Sequence, residues 1–217
     1  MTLLTTIGGA QPSAAASWRW PDIAALRTYL SYAAVIGALF VIGYGGANWL
    51  AAQRATHLRL YWDAELAIPL VPAAIWVYLS INLLFALPVF RLDPAELRVL
   101  GRRMIAATLM ATAFFIAVPT APGFERLDLA GASNSAFYWL YALDCPFNCV
   151  PSLHVTYSTL IVLALARRAG TALRAALGSW LALIMASTVL THQHHFIDIA
   201  AALVLVGVIH LASEAKS

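Results

Sequence analysis

From Ile68 to Phe90 the chain carries no charged side chain, and five further long runs are nearly as apolar. A run of about 18 or more such residues reads as a membrane-crossing helix, because roughly 20 residues at 1.5 Å rise cover a hydrocarbon core of about 30 Å. Composition agrees: 62% of the residues are hydrophobic, 11% are charged, and the mean hydropathy is +0.79. A soluble domain carries about 25% charge, so this chain lacks the polar side chains to cover itself in water. An integral membrane protein follows. The net charge of +3 is spread as arginines between apolar runs, which argues against a nucleic-acid face.

The expected spans are Tyr29 to Ala52, Ile68 to Phe90, Met104 to about Ala121, Val150 to Ala166, about Ala175 to Thr191, and Phe196 to Ala212. The fold class expected is therefore all-α, a bundle of six transmembrane helices. Residues 1–28 form an N-terminal interfacial segment, 29–212 the membrane domain and 213–217 a short tail. Met1–Ser17 has no charged leader, so no cleaved signal is expected. Six spans leave ten Arg and Lys residues on the side of the termini and only Arg54, Arg59 and Arg126 on the other. That bias puts both termini in the cytoplasm. The opposite loops, with Cys145 and Cys149, face an oxidising compartment. There a Cys145–Cys149 disulfide and two unpaired thiols are both open readings.

Chemistry concentrates between the last two spans, in Ser187-Thr-Val-Leu-Thr-His-Gln-His-His-Phe-Ile-Asp198. His194 and Asp198 are four residues apart, close enough on a helix for the carboxylate to fix the imidazole tautomer and raise its basicity. That prepares a nucleophile or general base. Adjacent His194 and His195 diverge by about 100° on a helix, which suits one zinc or copper ion poorly. No further cysteine or carboxylate stands at ligand spacing, so neither metal nor other cofactor is expected. A second group, Val150-Pro-Ser-Leu-His154, opens the fourth span on the same membrane face. There Pro151 suits a first helical turn and the helix-start amides attract anions.

These two groups together resemble the type-2 phosphatidic acid phosphatase superfamily. Pro151-Ser152-Leu153-His154 is similar to its Pro-Ser-Gly-His motif. Ser187-Thr188-x5-His194-x3-Asp198 is similar to its Ser-Arg-x5-His-x3-Asp motif. The leucine, the His-His-aromatic run, and Asp63 followed by Ile68-Pro-Leu-Val-Pro72 resemble the branch that includes inositol phosphorylceramide synthases. The resemblance implies His194 as nucleophile, Asp198 as its orienting carboxylate, His154 as general acid and Ser152 as a phosphate ligand. Thr188 stands where many members have a phosphate-clamping arginine, and the upstream Lys-x6-Arg-Pro motif is missing. Arg126 is the expected replacement, with Arg54 or Arg59 as alternatives from the first outer loop and Thr188 beside the phosphate. Asp63, Arg59 and His192 are candidate substrate contacts.

The function so implied is hydrolysis of a lipid phosphate or diphosphate through a phosphohistidine, without a cofactor. The partners are a lipid phosphate or phospholipid and the bilayer, not nucleic acid. Alternatives are a phosphotransferase moving a phospho-headgroup between lipids, and a non-catalytic lipid-binding protein. The expected location is a bacterial inner or cell membrane, with the site periplasmic or extracellular. The aromatic group Phe137, Tyr138, Trp139 and Tyr141 fits a short lid helix on the membrane surface.

Overall fold

The computed structural model describes residues 18–126, 136–143 and 147–214. Among them every regular element is helical, apart from one isolated bridge between Leu58 and Thr120. The Cys145–Cys149 pairing falls outside the described residues.

Asp22 starts the first helix, its carboxylate accepting from the Ala25 amide at 2.7 Å. Helix α1 (Ile23–Leu39) passes through a π-turn at Phe40–Tyr44 into α2 (Gly45–Ala52), making one continuous rod. Leu30, Val41, Ile42 and Trp49 stand exposed along it, a surface that suits lipid and not water. The next apolar run is less regular than its composition suggests. It begins at Ala74, not Ile68, and divides into α3 (Ala74–Leu79), α4 (Ile81–Ala86) and a 3-10 turn at Leu87–Phe90. Ser80 lies at the break: its hydroxyl donates to the Val77 carbonyl at 2.6 Å and accepts from the Trp180 indole at 2.8 Å. Residues 68–73 lead into this rod as a Pro-containing loop, because prolines at 69 and 72 cannot donate to a helix.

Asp93 caps α5 (Pro94–Ala117) through a reciprocal capping box with Glu96. This helix starts ten residues before the expected Met104, because the box and Pro94 nucleate it among arginines. After α6 (Ala136–Leu143) come α7 (Leu153–Ala166), α8 (Thr171–Leu190) and α9 (Phe196–Glu214). Among the described residues, four stretches are long and apolar enough to cross a membrane: Ile23–Ala52, Pro94–Ala117, Thr171–Leu190 and Phe196–Ser213. Ala74–Phe90 and Leu153–Ala166 are shorter apolar helices.

The shortness of α7 has a physical reason in its position. It packs against α4, α5, α8 and α9 and is buried on nearly every face, so neighbouring helices cover it instead of lipid. Thr156, Ser158 and Thr159 each donate a hydroxyl to the carbonyl four residues back, which satisfies them inside the apolar interior. At its C-terminal end the buried Arg91 donates to the carbonyls of Leu165 and Arg168, groups a helix end leaves unpaired. Arg91→Leu should therefore destabilise the bundle by about 1–3 kcal/mol, read as a lower unfolding midpoint in detergent, with little change at the opposite end of α7.

Candidate active site

Helix α8 ends in a Schellman motif. The amide of His192 donates to the Val189 carbonyl at 2.9 Å and that of Gln193 to the Thr188 carbonyl at 3.0 Å. His192 takes the left-handed conformation this motif needs, with φ 58°. The His194 amide also donates to the Thr188 carbonyl at 3.0 Å, so the chain reverses tightly before α9. His194 thus precedes the helix that carries Asp198, and the two do not meet by regular helical spacing. They meet because Asp198 sits in the first turn of α9 and collects donors from the turn before it.

Asp198 is 1% exposed. One oxygen, Oδ2, accepts from His194 Nδ1 at 3.0 Å and from the His195 amide at 2.9 Å. The aspartate's backbone carbonyl accepts from the Ser152 amide at 3.2 Å. That bond joins the two motifs directly. With Nδ1–H held by the carboxylate, the Nε2 of His194 keeps its lone pair, and the ring lines a cavity of about 630 Å³.

His154 lines the same cavity from the first turn of α7. Its ring stacks on Tyr78 at 3.9 Å and is hydrogen-bonded to the Tyr78 backbone. Its Nε2 is buried without a hydrogen-bond partner among the described residues. Ser152 is the N-cap of α7, its hydroxyl accepting from the Val155 amide at 3.3 Å. Pro151 consequently precedes the helix instead of occupying its first turn.

The remaining expected residues are placed differently from one another. Thr188 is fully buried and donates its hydroxyl to the Met185 carbonyl at 2.8 Å. Arg126 is exposed, with its guanidinium 4.5 Å over the Tyr141 ring of α6 and a 3.4 Å bond to the Tyr141 carbonyl. Arg59 and Asp63 form an exposed pair at 3.2 Å. His192 is bonded to the Ile68 carbonyl at 3.0 Å and stacked on Phe124. Arg54 reaches the Ile116 carbonyl at 2.8 Å.

Sequence reasoning missed Glu65, two residues beyond Asp63. Glu65 is 3% exposed; its Oε2 accepts from His195 Nδ1 at 3.1 Å and from the Phe196 amide at 2.9 Å, and its Oε1 from the Trp62 amide. His195 Nε2 accepts from the Gly123 amide at 3.1 Å, so the proton of this imidazole is on Nδ1. Tyr61 and Phe124 stack on the ring from the two loops. Three loops are therefore pinned around one neutral histidine. The only sequence signal for Glu65 was a carboxylate in a loop whose other end is apolar.

Burial pushes His195 below the usual histidine range, against the opposing pull of the Asp198 and Glu65 carboxylates. The folded chain thus binds this proton less readily than the unfolded chain, whose value is near 6.5. Stability should be full above that value and fall as pH drops through it towards the lower folded value. The melting temperature in detergent should be level above about pH 6.5 and decline as the pH falls below it, and His195→Gln should flatten that part of the curve. Glu65→Leu should destabilise at every pH, by about 3–5 kcal/mol, because it removes the buried carboxylate that accepts from His195 Nδ1 and two backbone amides.

A bundle of apolar helices that holds a histidine–carboxylate pair and a second histidine at one cavity defines a membrane protein with a histidine-centred site. The family model described as the PAP2 superfamily matches residues 47–212, and the chain belongs to that superfamily. Its members are phosphatases or phosphotransferases, which is consistent with an enzyme acting on lipids. No curated protein and no solved structure gives a match.

Proposed function

We propose that this protein hydrolyses a lipid phosphate monoester or diphosphate through a phosphohistidine on His194. The observation that carries the reading is the His194 Nδ1–Asp198 Oδ2 bond of 3.0 Å, with His154 lining the same cavity. A carboxylate on Nδ1 raises the nucleophilicity of Nε2, which attacks phosphorus. As the P–N bond forms, the P–O bond to the lipid breaks, and the leaving oxygen takes a proton from His154 Nε2. Water then attacks the phosphohistidine while His154 Nε2 takes its proton, so phosphate leaves and His194 is restored. The fixed amides at the start of α7, beside Ser152, supply donors for phosphate oxygens.

The proposed topology has six crossings, the two shorter ones being Ala74–Phe90 and Leu153–Ala166. The ten-to-three distribution of basic residues supports cytoplasmic termini and a site on the other side. In this reading Arg126, an exposed side chain, swings from Tyr141 to neutralise phosphate. Asp63, Arg59 and His192 contact the headgroup at the mouth of the site, and Thr188 acts through its carbonyl on the turn that carries His194.

Purified protein incubated with a panel of lipid phosphates should release inorganic phosphate. His194→Ala should lower turnover by on the order of 10³-fold or more, and Asp198→Asn by about 10²–10⁴-fold. Rapid quenching with radiolabelled substrate should trap an acid-labile, base-stable phosphoenzyme that His194→Ala lacks. Headgroup exchange without phosphate release would establish the transferase instead. Turnover absent from the wild type would leave the non-catalytic lipid-binding reading.

A further inference from the structure

The cavity below His154 and His194 is walled by α1, α3, α4, α5 and α7, and its lining is largely apolar. The Tyr29 hydroxyl donates to the Phe85 carbonyl at 3.1 Å across its far end. From Tyr29 to Tyr44 it follows α1 and the π-turn after it for about 22 Å at roughly 1.5 Å per residue, a depth suited to one long lipid chain. Ala33 and Gly37 of α1 border it, and a Cβ added at Gly37 would meet nothing within 4 Å. The small side chains leave a lateral passage towards lipid.

The upper end of this apolar space contains one amide that no part of the mechanism uses. Asn148 is 3% exposed and lines the cavity together with His154 and His194. Its Nδ2 donates to the Tyr44 carbonyl at 2.8 Å. Because a carbonyl can only accept, this bond fixes which end of the amide is nitrogen. The Oδ1 is then a buried acceptor, and it has no hydrogen-bond partner among the described residues. The segment is held firmly, since the next-door Phe147 amide donates to Asn48 Oδ1 of α2 at 3.2 Å. A buried acceptor without a partner, on a residue at the wall of an apolar cavity, is suited to a ligand that brings a donor as it enters.

We propose that Asn148 is a specificity-determining residue that accepts a hydrogen bond from a hydroxyl or amide N–H close to the phosphate-bearing carbon of the lipid. The preferred substrates are then hydroxyl- or amide-bearing lipid phosphates, with the chain in the cavity. Isoprenyl phosphates and fully acylated glycerol phosphates, which have no such donor, are poorer. The proposal rests on the reading of His194 as the nucleophile for the choice of phosphate lipids, but its own content is one hydrogen bond.

The test compares a 1-acylglycerol 3-phosphate with its 2-deoxy analogue, which differs by that hydroxyl alone. Wild-type, full-length protein in detergent should favour the hydroxyl form about tenfold in kcat/KM. Asn148→Leu should bring that ratio close to one, and Asn148→Thr, which keeps an acceptor oxygen, should retain part of it. A folding defect lowers both substrates alike and leaves the ratio where it was. A wild-type ratio of one, or an Asn148→Leu variant that weakens both compounds equally, overturns the proposal. The same pair is also compared as competitors of a fluorescent lysolipid phosphate for binding to His194→Ala. That ratio decides on Asn148 even if turnover is absent, whereas absent turnover by itself counts only against the phosphatase reading.

Discussion

The carboxylate of Asp198 is surrounded by groups that would each be poorly placed without it. Its Oδ2 receives the His194 ring and the His195 amide, and its main-chain carbonyl receives the Ser152 amide. In a low-dielectric interior a charge of this kind is tolerated only when donors surround it, and the donors are in turn fixed by it. The turn after α8, the first turn of α9 and the N-terminus of α7 converge there for that reason. The geometry of the site is thus a consequence of satisfying one buried charge.

Glu65 and His195 repeat this logic one layer out. Their 3.1 Å bond joins a loop before α3 to the turn before α9, residues 130 apart in sequence. Gly123 closes the arrangement through its amide, and a Cβ there would lie 2.6 Å from the Tyr61 ring and 2.9 Å from His195 Nε2. Only glycine lets the Pro119–Phe124 loop come so close. The histidine beside the candidate nucleophile is consequently a structural hub, and its neutrality follows from donating to Glu65 while accepting from Gly123. The rings of adjacent His194 and His195 therefore serve different carboxylates, Asp198 and Glu65.

Much of the site was legible because it is local. His194 and Asp198 lie four residues apart, Ser152 and His154 two, and both segments end apolar runs, where polar side chains are costly unless used. Even so, the reason given by periodicity was imperfect, since His194 stands in a turn and not on the helix. Arg59 and Asp63 show the limit of local reading. They pair with each other at the surface, while Glu65 turns inward, and a choice between carboxylates two residues apart depends on what the loop packs against. Asn148 belongs with Glu65: the Tyr44 carbonyl, 104 residues away, fixes the orientation of its amide and leaves Oδ1 without a partner among the described residues.

By itself the sequence determined that the chain is a bundle of apolar helices with its candidate reactive residues collected in two short segments. Charge-free runs leave the backbone no partner but itself, and a His–Asp pair at short range needs no long-distance contact. Only the tertiary structure decided which side chains surround those segments, where the second apolar run breaks and how deep the cavity extends. These depend on packing between residues far apart in the chain, where a difference of one or two positions turns a side chain from the surface to the interior.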